Sequence, residues 1–130
     1  MKRRELFIAL VTMTLLPVLA TLAMAQTTAQ KLNASEIEDV LAGNTIEGVW
    51  GGDRYRQFFA EDGSTIYVPS EGKRVEGRWR VDPDRGIYES WWRSTGWKPY
   101  AMVDLPDSGY AWVNGDAVET FEVKDGRQIE

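Results

Sequence analysis

The chain has 130 residues, 15 Lys+Arg against 20 Asp+Glu, a net charge of −5, and neither histidine nor cysteine. Those absences remove the usual neutral-pH general base, a thiol nucleophile, a Ser-His-Asp triad and the common ligands of zinc, copper, haem and iron–sulfur centres. An acidic surface repels phosphate backbones and anionic lipid, so the composition points away from nucleic acid and from a membrane-surface role.

The N-terminus is basic at Met1-Lys2-Arg3-Arg4. An apolar run from Leu6 to Ala25 follows, interrupted only by Thr12, Thr14, Pro17 and Thr21, and it ends in Ala23-Met24-Ala25. A basic start, an apolar middle and a small-x-small end are the layout of a secretory signal. Residues 1–25 are therefore read as a cleaved export signal, which places the rest in a bacterial periplasm or outside the cell. Pro17 and the Ala-x-Ala end favour cleavage over an uncleaved anchor. Arg3-Arg4-Glu5-Leu6-Phe7 also resembles a twin-arginine signal, so the export route stays open. The first 25 residues hold three basic and one acidic side chain, leaving 12 against 19 and a net charge of −7 for the remainder. Without cysteine no disulfide can form in that oxidising compartment, and stability must come from packing and hydrogen bonds.

Residues 26–31 are polar and read as a short tether, followed by one domain over 32–130. Asn33 and Glu36 form a capping-box pattern, Ser35 and Glu38 offer a second, and Ile37, Val40 and Leu41 share one helical face. Gly43-Asn44 suits a left-handed residue after the end. The expectation is one short helix over 34–42.

Beyond it, turn signals recur about every ten residues, the spacing of an antiparallel meander. They fall at Asp62-Gly63, Glu71-Gly72, Asp82–Gly86, Thr95-Gly96, Ser108-Gly109, Asn114-Gly115 and Asp125-Gly126. Between them Val75, Gly77, Trp79 and Val81 alternate with Arg74, Glu76, Arg78 and Arg80, a strand with one buried and one wet face. About seven strands from Tyr55 onward, and a possible short one near Ile46–Trp50, predict a mainly β fold. The expected architecture is a small up-and-down, barrel-like (lipocalin- or calycin-like) meander with the helix across one end. A two-sheet sandwich is the alternative.

The series Gly43-Asn44-Thr45, Asp62-Gly63-Ser64 and Gly77-Arg78-Trp79-Arg80-Val81, over residues 32–92, weakly resembles small exported bacterial β domains of unknown function. The resemblance implies a compact β domain and transfers no catalytic residue. Such domains often have a cysteine pair in the later strands, where this chain has Tyr88 and Trp91.

Little catalytic chemistry remains. A carboxylate pair is formally possible among Glu47, Asp53, Glu76, Glu89 and Glu119, but no spacing singles out two. The composition predicts no catalytic residue, no metal, no cofactor and no enzyme. Asp82-Pro83-Asp84-Arg85-Gly86 resembles the start of a calcium loop, yet Gly86 stands at the third ligand position and Arg93 at the twelfth. It reads as a turn.

All six tryptophans follow residue 25. Most would fill a small core, but Trp91 and Trp92 are adjacent on a strand and must face opposite sides. A four-residue turn at Asp82–Arg85 would pair Val81 with Gly86 and Arg78 with Glu89. Trp91 would then point outward across from Glu76. A two-residue turn at Thr95-Gly96 would set Tyr100 opposite Trp91. The candidate binding patch is thus Trp91 and Tyr100, rimmed by Glu76, Arg93 and Lys98, unless Trp91 packs beneath neighbouring arginine stems. The leading expectation is a monomeric, non-catalytic exported domain that binds an unknown small ligand through its interior or this face. The alternative is a module that binds or inhibits an envelope protein, with no contact to nucleic acid or membrane after signal cleavage.

Overall fold

The computed structural model describes residues 28–130; the proposed signal, and the start of the tether, lie outside them. One helix, α1 (Ala34–Leu41), follows a two-residue strand, β1 (Gln30–Lys31). Eight longer strands come next: β2 (Thr45–Trp50), β3 (Asp53–Phe59), β4 (Ser64–Pro69) and β5 (Val75–Asp82), then β6 (Ile87–Trp92), β7 (Gly96–Leu105), β8 (Gly109–Asn114) and β9 (Ala117–Lys124). Each of β2 to β9 pairs antiparallel with its sequence neighbour, and β9 returns to pair with β2. The result is a closed eight-stranded up-and-down barrel with no free edge in the ring.

The capping box forms at Asn33 and Glu36. The Asn33 side-chain oxygen accepts from the Glu36 amide at 2.9 Å, and the Asn33 amide donates to Glu36 Oε1 at 2.9 Å. The helix stops at Leu41, and Gly43 adopts φ +80, where its amide donates to the Phe59 carbonyl at 2.7 Å. Ile37 and Leu41 are fully buried and join Ile46, Phe59, Trp79 and Met102 in one apolar cluster. Burying each of those two side chains is worth about 1.5–3 kcal/mol, so the helix is held by its apolar stripe as a stopper in one end of the barrel.

Three readings of the sequence need correction. Gln30 and Lys31 are not tether: they pair with Asp104 and Val103 of β7, and Lys31 Nζ donates to the Gly86 carbonyl at 2.7 Å. The β5–β6 turn occupies residues 83–86, so Asp82 pairs with Ile87 and the ladder moves two residues along. Asp82 stays in the strand because its carboxylate accepts from the amides of Asp84 and Arg85, while Gly86 takes φ +64 in the turn. Glu89 consequently meets Arg80 at 2.8 Å, not Arg78, with every side chain still on its expected face. The third correction changes a face. Trp92 pairs with Gly96 across three residues, the Thr95 amide donating to the Trp92 carbonyl at 3.1 Å and Gly96 at φ +72. The three-residue connection changes parity and swaps inside for outside along β7.

Inside the barrel Gly77 lies beneath the Trp92 ring. A Cβ there would sit 2.6 Å from that ring and run into the Trp91 carbonyl oxygen. Neither the sheet backbone nor a packed indole can retreat cheaply. Gly77→Ala is expected to destabilise the fold by about 1–3 kcal/mol, the usual cost of overpacking, in reversible denaturant unfolding. A variant as stable as wild type would show that Trp92 is not packed this way.

Candidate functional site

The end opposite α1 is open. It is framed by the β2–β3 turn, the β4–β5 loop, the β6–β7 turn and the β8–β9 turn, and a cavity of about 350 Å³ opens there into the barrel. That volume lies within the range of small-molecule sites.

Aromatic rings make its walls. Tyr88 stacks on Trp112 at 4.4 Å between centroids, Tyr55 stacks on Tyr67 at 4.9 Å, and Trp50 meets Tyr100 edge-on at 5.7 Å. Trp92 meets Tyr67 edge-on at 6.0 Å. These residues face inward because each occupies an alternate position on its strand, in register with the next: Tyr55 level with Pro69, Gln57 with Tyr67, Tyr88 with Tyr100.

The floor is polar but neutral. Gln57 and Ser90 are buried at 5% and 3% exposure. The Thr65 hydroxyl donates to the Phe58 carbonyl at 2.8 Å, so it must accept the 2.9 Å bond from Gln57 Nε2. That fixes the amide orientation, and Nε2 also reaches the Tyr88 hydroxyl at 3.5 Å. Gln57 Oε1 is left without a donor among the described residues. Burial pushes the Tyr55 and Tyr88 hydroxyls well above the ordinary tyrosine value, outweighing the hydrogen bonds they accept, and raises Tyr67 and Tyr100 in the same direction. All four hydroxyls therefore stay protonated, as hydrogen-bonding groups without charge.

Of the residues expected at a site, the structure divides the set. Trp91 is outward and half-buried, level with Arg78 on one side and Trp97 on the other. Glu76 is on the same outer face and Arg93 is exposed in the turn. Tyr100 and Lys98 are not with them. The change of parity turns both inward, Tyr100 level with Tyr88 and Lys98 level with Ser90, and both line the cavity. Trp97 takes the place expected for Tyr100, and the Arg80 guanidinium lies 3.7 Å from its ring centre. Trp97 is therefore partly roofed by arginine, which leaves it 37% exposed.

Glu47 and Glu89 are outward and bonded to Arg56 at 2.7 Å and Arg80 at 2.8 Å. Glu119 accepts from the Gly51 amide at 3.2 Å. The residues the sequence reading missed are Tyr55, Gln57, Tyr88, Ser90 and Trp112. The available signal was a polar residue at an inward position: Gln57 between Tyr55 and Phe59, and Ser90 between Tyr88 and Trp92. No protein-family model, curated protein or solved structure matches the chain.

The protonated tyrosines set a pH limit. Unfolded, Tyr55 and Tyr88 would ionise near pH 10; folded, they hold their protons well beyond it. Above pH 10 the native state binds more protons than the unfolded chain, so stability falls as pH rises, and it is fully present below that point. From pH 9 to 11 the unfolding free energy should fall by about 2–3 kcal/mol for the pair, measured by denaturant titration. Equal loss in a Tyr55→Phe, Tyr88→Phe double variant would show that these hydroxyls are not responsible.

Proposed function

We propose that this protein is an exported, non-catalytic barrel that binds a small molecule inside its open end, acting in the periplasm or outside the cell as a monomer. The single observation that carries this reading is the uneven filling of the barrel. One end is plugged by Ile37, Leu41 and Phe59, all fully buried, while the other keeps a cavity of about 350 Å³ with aromatic walls and a polar floor. Eight strands enclose an interior just wide enough for side chains to fill or for one small ligand to occupy. Here the two solutions share one barrel. The outer wall carries Arg56, Arg78 and Arg80 with Glu47, Glu76 and Glu89, charges that would be costly against lipid. Partner binding through the outer face is the weaker reading, because Arg80 already covers Trp97.

The neutral dye N-phenylnaphthylamine tests the interior directly. Its fluorescence should rise on binding and quench the cavity tryptophans. Ser90→Phe, which places a ring in the cavity, is expected to weaken binding about tenfold or more, whereas Trp91→Ala on the outer wall should leave it unchanged. Loss in Trp91→Ala with Ser90→Phe unaffected would move the site to the outside.

A further inference from the structure

The cavity has one charge, and it sits at one place. Among the lining residues only Lys98 is of a charged type; the others are aromatic, aliphatic, hydroxyl or amide. Lys98 is in no ion pair among the described residues, although the protein is acidic and offers many partners. The floor holds four polar side chains at or below 5% exposure: Tyr55, Gln57, Tyr88 and Ser90. At least one of their atoms, Gln57 Oε1, is a buried acceptor with no donor among the described residues, and such an atom carries a desolvation cost until something donates to it. Most of the remaining lining is rings.

Resting on the reading of the interior as a binding site, we infer that the ligand is a planar, mainly aromatic molecule. It carries a neutral hydrogen-bond donor, such as a phenol or amide, at one end and a single anionic group, such as a carboxylate, at the other. The neutral end reaches Gln57 Oε1 in the floor, where nothing could compensate a charge. The flat middle stacks among Tyr55, Tyr67, Tyr88 and Trp112, whose rings prefer offset or edge contacts with another ring. The anion remains at the mouth beside Lys98 Nζ, partly hydrated. Glu119 on β9 is level with Trp112 and tied to Gly51, and Asp53 starts β3, so both belong to the β9–β2–β3 wall while Lys98 stands on β7. A cationic end would be drawn to that wall, an anionic end to Lys98.

Four probes separate the parts: para-hydroxycinnamate, its methyl ester, unsubstituted cinnamate and tyramine, each titrated calorimetrically against the folded full chain. The acid should bind about tenfold tighter than the ester, a difference appropriate to one rim charge pair, and several-fold tighter than cinnamate; tyramine should be weakest. In Lys98→Met the acid-to-ester ratio should fall to near one, and Lys98→Arg should restore it. Equal affinity for acid and ester in wild type, a ratio that survives Lys98→Met, or tyramine binding as tightly as the acid overturns the anionic end. No gain from the para-hydroxyl overturns the neutral end. Either failure with the naphthylamine dye still bound leaves the interior site standing. Failure of dye and probes together removes both.

Discussion

The ring closes where β9 lies against β2, and there the backbones come close. A Cβ on Gly48 would sit 2.7 Å from the Thr120 carbonyl oxygen and 2.9 Å from Phe121 Cβ. Closure is thus a steric matter settled by one missing side chain at an inward position. Everything else depends on it. A sheet that failed to close would expose the amides and carbonyls of β2 and β9 as free edges, and the two-faced alternation of every strand would lose its meaning. Closed, the ring defines one interior, and Ile46, Tyr55, Phe59, Trp79, Tyr88, Met102, Trp112 and Phe121 enter it from seven of the eight strands.

That interior is longer than the core needed to fill it. Leu32, Ile37 and Leu41 arrive from the N-terminal segment and complete the core at one end only. Rings then carry the packing upward: Phe59 meets Trp79 and Tyr88 edge-on, Tyr88 stacks on Trp112, and Trp112 stacks on Phe121 at 4.8 Å. The same Tyr88 that is core on its lower face is cavity floor on its upper one. In a chain without disulfides, aromatic packing therefore does two things at once: it holds the barrel shut, and it presents flat apolar walls above.

Much of the fold could be read from the chain, because it rests on local signals. The capping box at Asn33 and Glu36, the period of turns and the alternation through Val75–Val81 each depend on a few adjacent residues. What could not be read was anything that hinges on one residue more or less in a turn. Moving the β5–β6 turn by one residue shifted the ladder by two and left faces unchanged, since parity was conserved. Adding one residue between Trp92 and Gly96 changed parity, and with it Tyr100 and Lys98 moved from the outer patch to the cavity. Thr95-Gly96 is compatible with either turn; the choice falls to the three-residue form, with Gly96 at φ +72. The hollow itself had no sequence signature, since an empty volume is a property of eight strands together.

A hollow also bears on why this sequence has polar residues where apolar ones would pack. Removing buried volume costs about 24 cal/mol per Å³ of void, so a sealed, dry cavity of this size would be ruinous for a small domain. This one is neither sealed nor dry in character: it opens at the mouth, and Gln57, Ser90 and two tyrosine hydroxyls give water or a ligand partners along its floor. Leucine at 57 and 90 would fill space and lengthen the core upward. The amide at 57 is instead oriented by Thr65, whose own hydroxyl is fixed by the Phe58 carbonyl, so a chain of two hydrogen bonds aims one acceptor without satisfying it. A core built only for stability would gain more from apolar side chains at 57 and 90 than from that arrangement.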